Sequence, residues 1–316
     1  MRLARFAEQG VERIGFYQDT SVIPVPEAAA ACGGESARSK VLIESTSLLD
    51  FLPPDGKGQS EIRELSQSLS RLSETERKRI SVPVDRVALL VPIPHPSSIF
   101  LLAGNYAAHI EEGGKRAAAR QETFPYVFMK PPKTLTHPGQ FIEIPKSSPH
   151  SIDWECELGV IIGRRCEGVS EVDALKYVAG YTVINDISDR KFRPNPDRVK
   201  RDNDQFFDWL HGKWHDTFCP VGPCAVSADA VPDPQSLKLE LRLNGQTKQH
   251  ASTAQMIFPV AAVIEFLSGI VTLEPGDLIS TGTPSGVGAA TGTFLQPGDR
   301  IEAEIDRIGI LCNRVR

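Results

Sequence analysis

Residues Ser151 to Leu158 read Ser-Ile-Asp-Trp-Glu-Cys-Glu-Leu, which sets three carboxylates at alternate positions just ahead of the apolar run Gly159 to Gly163. On a strand, Asp153, Glu155 and Glu157 project to one face, and Trp154, Cys156 and Leu158 to the other. Each step of two residues is roughly 6 to 7 Å, so the three like charges repel, more strongly where water is excluded. A bound cation would relieve that repulsion, and so would a solvated strand face. A second apolar run, Gly180 to Ile184, ends in Asn185, Asp186, Ser188, Asp189 and Arg190. Polar groups gathered at the end of a buried element are where a rigid scaffold holds a site. Two glutamates and an aspartate form a hard, all-oxygen, partial ligand set. It suits Mg²⁺ or Mn²⁺, admits Ca²⁺, and does not suit zinc, which favours His and Cys.

Two further segments carry chemistry. In Gly104-Asn-Tyr-Ala-Ala-His109-Ile-Glu-Glu112-Gly-Gly, a helical turn brings His109 and Glu112 together at i, i+3. The carboxylate can then hold one imidazole nitrogen and leave the other free as a general base. Gly113 and Gly114 would let this segment move as a lid. Gly276 to Gly288 (GDLISTGTPSGVG) resembles a phosphate loop only superficially, because the lysine is missing and no amphipathic helix follows. Its backbone amides and the hydroxyls of Thr281 or Thr283 are expected to offer donors to an anionic oxygen.

The elements that must position these groups are short strands and turns. Alternating or apolar runs at 100–103, 126–129, 158–162, 181–184, 237–243, 278–281 and 300–305 are separated by turn clusters such as HPGQ, NGQ, EPGD and QPGD. Helices are expected at about 60–72, where Ile62, Leu65, Leu69 and Leu72 form one face behind a Ser60 cap, and at about 106–121, 171–178 and 259–268. His211 and His215 flank Lys213 and would share its face on a strand. The fold class is therefore α+β, mainly β, and the lack of regular β–α alternation excludes a doubly wound sheet. The Pro-rich VPIPHPSS places a boundary near 95, dividing a small N-terminal α+β domain (1–95) from the remainder (96–316).

The chain has 316 residues, 41% of them hydrophobic and 24% charged, and a formal net charge of −5. That balance, without basic blocks, implies no nucleic-acid partner. The longest apolar stretch, Met256 to Ile264, is broken by Pro259 and falls far short of the roughly 18 residues of a membrane span. The charged N-terminus is not a secretory signal, so a cytoplasmic location is expected. Six scattered cysteines without a C-x-x-C pair point to reduced thiols.

Seven collinear pieces resemble the fumarylacetoacetate hydrolase family: GNYAAHIEE, FMKPP, DWECELGVIIG, GYTVINDISDR, GKWHDTFCPVGP, LNGQTKQHASTAQMIFPV and LEPGDLISTGTPSGVG. The likeness covers about residues 96–316 and is closest to the acylpyruvate and fumarylpyruvate hydrolases. It implies a mixed β-sandwich roll, usually a homodimer, that binds Mg²⁺ or Mn²⁺ and acts on 2-oxo or 2,4-dioxo carboxylates. Carried onto matching positions, it makes Glu155, Glu157 and Asp186 the metal ligands and His109 with Glu112 the base dyad. Lys213 becomes the cation beside the substrate oxyanion, Arg190 and Thr283 hold the substrate carboxylate, and Lys130 lies near it. The sequence departs from the family at Asp189-Arg190-Lys191, at Arg193, and in the long charged stretch Pro194 to Leu210, all beside the implied substrate mouth. Hydrolysis of a C–C bond in an acylpyruvate-like acid is the favoured reaction. Oxaloacetate decarboxylation or tautomerisation, isomerisation in aromatic-acid degradation, and a non-catalytic binding role remain alternatives.

Overall fold

Alternation governs the centre of the molecule. Along the strand Cys156–Ile162, Cys156, Leu158, Val160 and Ile162 enter one apolar core, while Ile161 enters a second core on the opposite face. The computed structural model describes the backbone of residues 1–316. Every residue of Cys156–Ile162 and of its antiparallel neighbour Val178–Asn185 is buried, Glu157 included.

These two strands lie in the middle of a large sheet. Its order is Val82–Pro83, Ser21–Pro24, Val11–Tyr17, Arg2–Glu8, Cys219–Ser227, Val178–Asn185, Cys156–Ile162, Leu278–Ser280, Ile99–Ala103 and Tyr126–Met129. Neighbours on this path are antiparallel except Leu278–Ser280 with Ile99–Ala103. A five-stranded sheet, ordered Gln246–Ser252, Lys238–Leu243, Arg300–Ile305, Gly309–Val315 and Phe141–Ile142, packs on one face. Leu239, Leu241, Leu243, Ile301, Ala303 and Ile305 point from it into the first core, the alternation expected of a half-buried strand. The opposite face is covered by helices Val25–Cys32, Lys40–Glu44 and Gln59–Arg71, whose Ala28, Leu42, Ile62 and Leu65 share one core with Ile161, Leu101 and Leu278. The result is an α+β sandwich.

The N-terminal strands continue the large sheet through the Leu3–Ala225 register pair. Arg5 Nη1 donates to the Val91 carbonyl (2.9 Å), and the Val91 N–H donates to His137 Nδ1 (2.9 Å).

Several local expectations are corrected. Helix Gln59–Arg71 is capped at Gly58, and the Ser60 hydroxyl bonds Glu61 (2.7 Å). The helix expected over 106–121 is only Ala107–Glu112, because Gly113 and then Gly114, at φ +76°, turn the chain away. Pro194–Leu210 yields helix Asp204–His211, anchored by Arg198 on Asp204 (3.0 Å) and Asp208. His211 ends that helix and His215 lies in the following turns, so they do not flank Lys213 on a strand. Helix Glu74–Ile80 was hidden by its polarity, although Ser73 and Glu76 form a full capping box.

Burial first, and then the Arg5 charge, lower the His137 pKa below its ordinary 6.5. A depressed pKa means that the neutral ring stabilises the fold above that value and that the contribution is lost as pH falls through the lowered pKa. The gap in melting temperature between wild type and His137→Ala should therefore narrow on acidification; a gap independent of pH would refute this role for His137.

Candidate active site

The strand pair ends where the site begins. Cys156 registers with Asn185, so Glu155 and Asp186, each one residue beyond, emerge side by side while Glu157 lies within the strand. Asn185 Oδ1 accepts from the Glu155 N–H (3.0 Å), and the Asp186 N–H donates to the Glu155 carbonyl (2.9 Å). One oxygen from each of Glu155, Glu157 and Asp186 lies within 4.8 Å of the others. Their residues are 5%, 1% and 0% exposed.

Asp153 does not join them. The extended segment breaks at Trp154 and Glu155, and Asp153 belongs to the short strand Ile152–Asp153, paired with Ser188–Asp189. Its carboxylate accepts from the amides of Gly288 (2.6 Å) and Ala289 (3.0 Å) and from Arg190 Nε (2.8 Å). Thus Asp153 orients Arg190, whose other arm reaches Glu155 Oε1 (2.5 Å).

Two buried lysines complete the charge pattern. Lys213 Nζ donates to Glu155 (2.9 Å), Asp186 (2.5 Å) and the Ser188 hydroxyl (2.9 Å). Lys130 Nζ donates to the carbonyls of Ile187 (2.8 Å) and Phe218 and stands 2.6 Å from Asp186 Oδ1. Lys130 thereby pairs with the one Asp186 oxygen that Lys213 does not reach. Four carboxylates, Asp153, Glu155, Glu157 and Asp186, thus face three cations, Lys130, Arg190 and Lys213.

The surplus negative charge falls on Glu157. Burial above all, and then the charges of Asp186 and Glu155, raise its pKa well above the carboxylate range, despite hydrogen bonds from Ser280 Oγ (2.6 Å) and the Gly282 N–H (2.8 Å). Burial also opposes ionisation of Glu155, but Arg190 and Lys213 overcome it and hold its pKa far below the ordinary value. Burial likewise opposes the Lys213 charge, and Asp186 and Glu155 outweigh it, so its pKa is raised. Three buried carboxylates with convergent oxygens, one of them opposed in its ionisation by the other two, fit a hard divalent cation.

His109 and Glu112 lie within hydrogen-bond distance of each other. With the proton on Nδ1, His109 donates to Glu112 Oε1 (2.7 Å), and Glu112 Oε2 accepts from the Gly286 N–H (2.8 Å). Gly286 sits at φ +100°, and a Cβ there would lie 2.0 Å from the Lys248 carbonyl oxygen, so this position requires glycine. Here the glycine-rich loop departs from expectation. Its amides at Gly282, Gly286 and Gly288 are bound to the protein's own Glu157, Glu112 and Asp153. Thr283 is similarly engaged: its hydroxyl donates to the Cys156 carbonyl (3.0 Å) and accepts from Gln249 Nε2 (2.9 Å).

His109, Glu112 and Arg190 open onto one cleft of about 1560 Å³. Phe128 and Trp209 line the same cleft and stand over the Lys213 ammonium at 4.9 and 5.5 Å. No spacing signal in the sequence links Trp209 to Lys213. Gln249, which also accepts from the Cys156 N–H (2.9 Å), was likewise silent in the sequence, being one polar residue among several in the strand Gln246–Ser252.

No helix among the described residues is long and apolar enough to cross a membrane. The profile of the fumarylacetoacetate (FAA) hydrolase C-terminal family matches residues 98–316. Oxaloacetate tautomerase Fahd2a, mitochondrial, of Rattus norvegicus is 36% identical over 236 residues, which cover 74% of this chain and 71% of the relative. The fumarylacetoacetate hydrolase domain-containing protein 2 homolog of Dictyostelium discoideum is 36% identical over 304 residues, covering 90% and 94%. Maleylpyruvate hydrolase from Sphingobium sp. SYK-6, solved in complex with manganese (II) ion and pyruvate, superposes with a TM-score of 0.71 at 28% identity, covering 100% of this chain and 98% of that one. The chain belongs to the fumarylacetoacetate hydrolase family and is an enzyme of that family.

Proposed function

We propose that the protein is a divalent-metal-dependent hydrolase that cleaves a C–C bond in an acylpyruvate-like 2,4-dioxo acid and releases pyruvate. The observation that carries this reading is the His109–Glu112 dyad opening on the same cleft as Arg190, whose guanidinium is bound to a metal-ligand candidate, Glu155. Glu155, Glu157 and Asp186 would hold Mg²⁺ or Mn²⁺, which supplies a Lewis acid for the 2-oxo oxygen. The relative solved with manganese and pyruvate supports both parts of the proposal.

The residues then divide the work. Glu112 fixes the imidazole, leaving His109 Nε2 to take a proton from water as its oxygen attacks the C4 carbonyl. The C3–C4 bond breaks, the acyl part leaves as a carboxylic acid, and the electron pair passes to the pyruvate enolate. The imidazolium returns its proton to C3, which balances the step. Lys213, held charged in a dry setting, offsets the developing negative charge, and Arg190 is placed for the substrate carboxylate. Lys130 secures Asp186 and the backbone around it.

A second reading is keto–enol proton transfer on oxaloacetate. It needs the same site without attacking water, and the mammalian relatives named as oxaloacetate tautomerases favour it. Assays with Mg²⁺ on acetylpyruvate, fumarylpyruvate and oxaloacetate, following enol absorbance and pyruvate, separate the two: pyruvate from the dioxo acids supports hydrolysis, and enol decay of oxaloacetate alone supports tautomerisation.

Removing the base should lower kcat by about 10²- to 10⁴-fold in His109→Ala. Glu112→Gln should lower kcat far more than it raises KM; a change confined to KM would contradict the dyad. Mg²⁺ at a hundredfold excess over Kd should stabilise the chelator-stripped protein by roughly 2.7 kcal/mol. Glu157→Gln should melt no lower than wild type without metal yet lose this gain, whereas a retained gain would remove Glu157 from the ligand set.

A further inference from the structure

Beyond the polar end, the cleft is built of aromatic side chains on surface elements. Phe124, Tyr126, Phe128, Phe206, Trp209 and Phe266 all line it. They form two linked groups. Phe124 meets Tyr126 edge-on at 5.2 Å and stacks near Phe266 at 6.2 Å. Trp209 meets Phe128 edge-on at 4.8 Å and Phe206 at 5.9 Å. Phe124, Tyr126 and Phe206 are 59%, 60% and 53% exposed. Large apolar groups left in water around one continuous cavity mark a surface meant to be covered.

The charges around the cleft narrow the occupant. Its cations are Arg190, Lys115 and Arg116, and its acids are Glu112 and Asp202. Arg190 is bound to Asp153 and Glu155 at the polar end. Lys115 and Arg116 are exposed residues just past Gly113 and Gly114. Arg190 is taken up at the polar end, and the six aromatic side chains outnumber the two remaining cations, whose heads stand in water. Phe206 and Trp209 come from helix Asp204–His211, within the charged stretch that departs from the family pattern.

We infer that the substrate carries an uncharged alkyl or aryl substituent on the carbon side remote from the 2-oxo acid, and that Phe206 with Phe124 selects for its length. This rests on the reading that a 2-oxo acid binds at the His109 end of the cleft. A short diacid would leave the aromatic wall exposed, whereas an apolar tail would remove it from water at a gain of roughly fourfold in affinity per methylene.

The test uses binding and turnover separately. Monocarboxylic 2-oxo acids from 2-oxobutyrate to 2-oxodecanoate, and oxaloacetate as the diacid, are titrated into the Mg²⁺-loaded full chain and Kd is read from thermal shifts. Acylpyruvates of matching tail length are assayed in parallel for kcat/KM. Kd should tighten roughly fourfold per methylene over the first few carbons, and Phe206→Ala and Phe124→Ala should flatten that slope. A Kd independent of chain length, or oxaloacetate binding more tightly than the monoacids, would overturn the inference. Turnover without a chain-length trend in Kd overturns it while leaving hydrolysis standing. A trend in Kd without turnover of any acylpyruvate upholds it and instead removes the hydrolase reading.

Discussion

An uneven charge balance in a place without water organises this protein. Asp153, Glu155, Glu157 and Asp186 converge with Lys130, Arg190 and Lys213 beneath a cleft, and the extra carboxylate has no cation of its own. Such an arrangement is costly, because the repulsion cannot be screened by solvent. The chain meets it by raising the Glu157 pKa and by directing backbone amides and hydroxyls at the acids. A divalent cation placed among these acids would offset the surplus charge and favour the ionised form of Glu157. The imbalance is the physical reason that a hard divalent cation would fit there.

Much of the fold exists to hold that balance. The fully buried strands Cys156–Ile162 and Val178–Asn185 fix Glu155 and Asp186 at the sheet end through the Cys156–Asn185 register. The loop from Gly282 to Gly288 threads three carboxylates, one to each of Gly282, Gly286 and Gly288. It therefore links the dyad at Glu112, the candidate ligand Glu157 and the Arg190 anchor Asp153. A shift of this loop would disturb Glu112, Glu157 and Asp153 together.

The strands, the His109–Glu112 spacing and the gathering of acids were legible because each has a short-range signature: alternation, an i, i+3 step, and polar residues ending an apolar run; grouping Glu155, Glu157 and Asp186 as one set came from the family resemblance. Asp153 shows where such logic stops. Period-two reasoning puts it beside Glu155 and Glu157, but a break at Trp154 and Glu155 sends it to Arg190 and the amides of Gly288 and Ala289. The roles of Gln249, Ser280 and Trp209 were illegible because they come from contacts between residues distant in the chain. The glycine loop was read correctly as a row of donors, yet its acceptors are the protein's own acids, which no local pattern discloses. Helix Asp204–His211 was masked by the charged stretch that precedes it, from which Arg198 pairs with the helix's own Asp204 and Asp208.

The most direct measurement is diffraction at the manganese absorption edge from crystals grown with Mn²⁺ after chelator treatment. The account requires one anomalous peak enclosed by the carboxylates of Glu155, Glu157 and Asp186. Those side chains turned apart with no peak between them, or a peak only at another location, would contradict it.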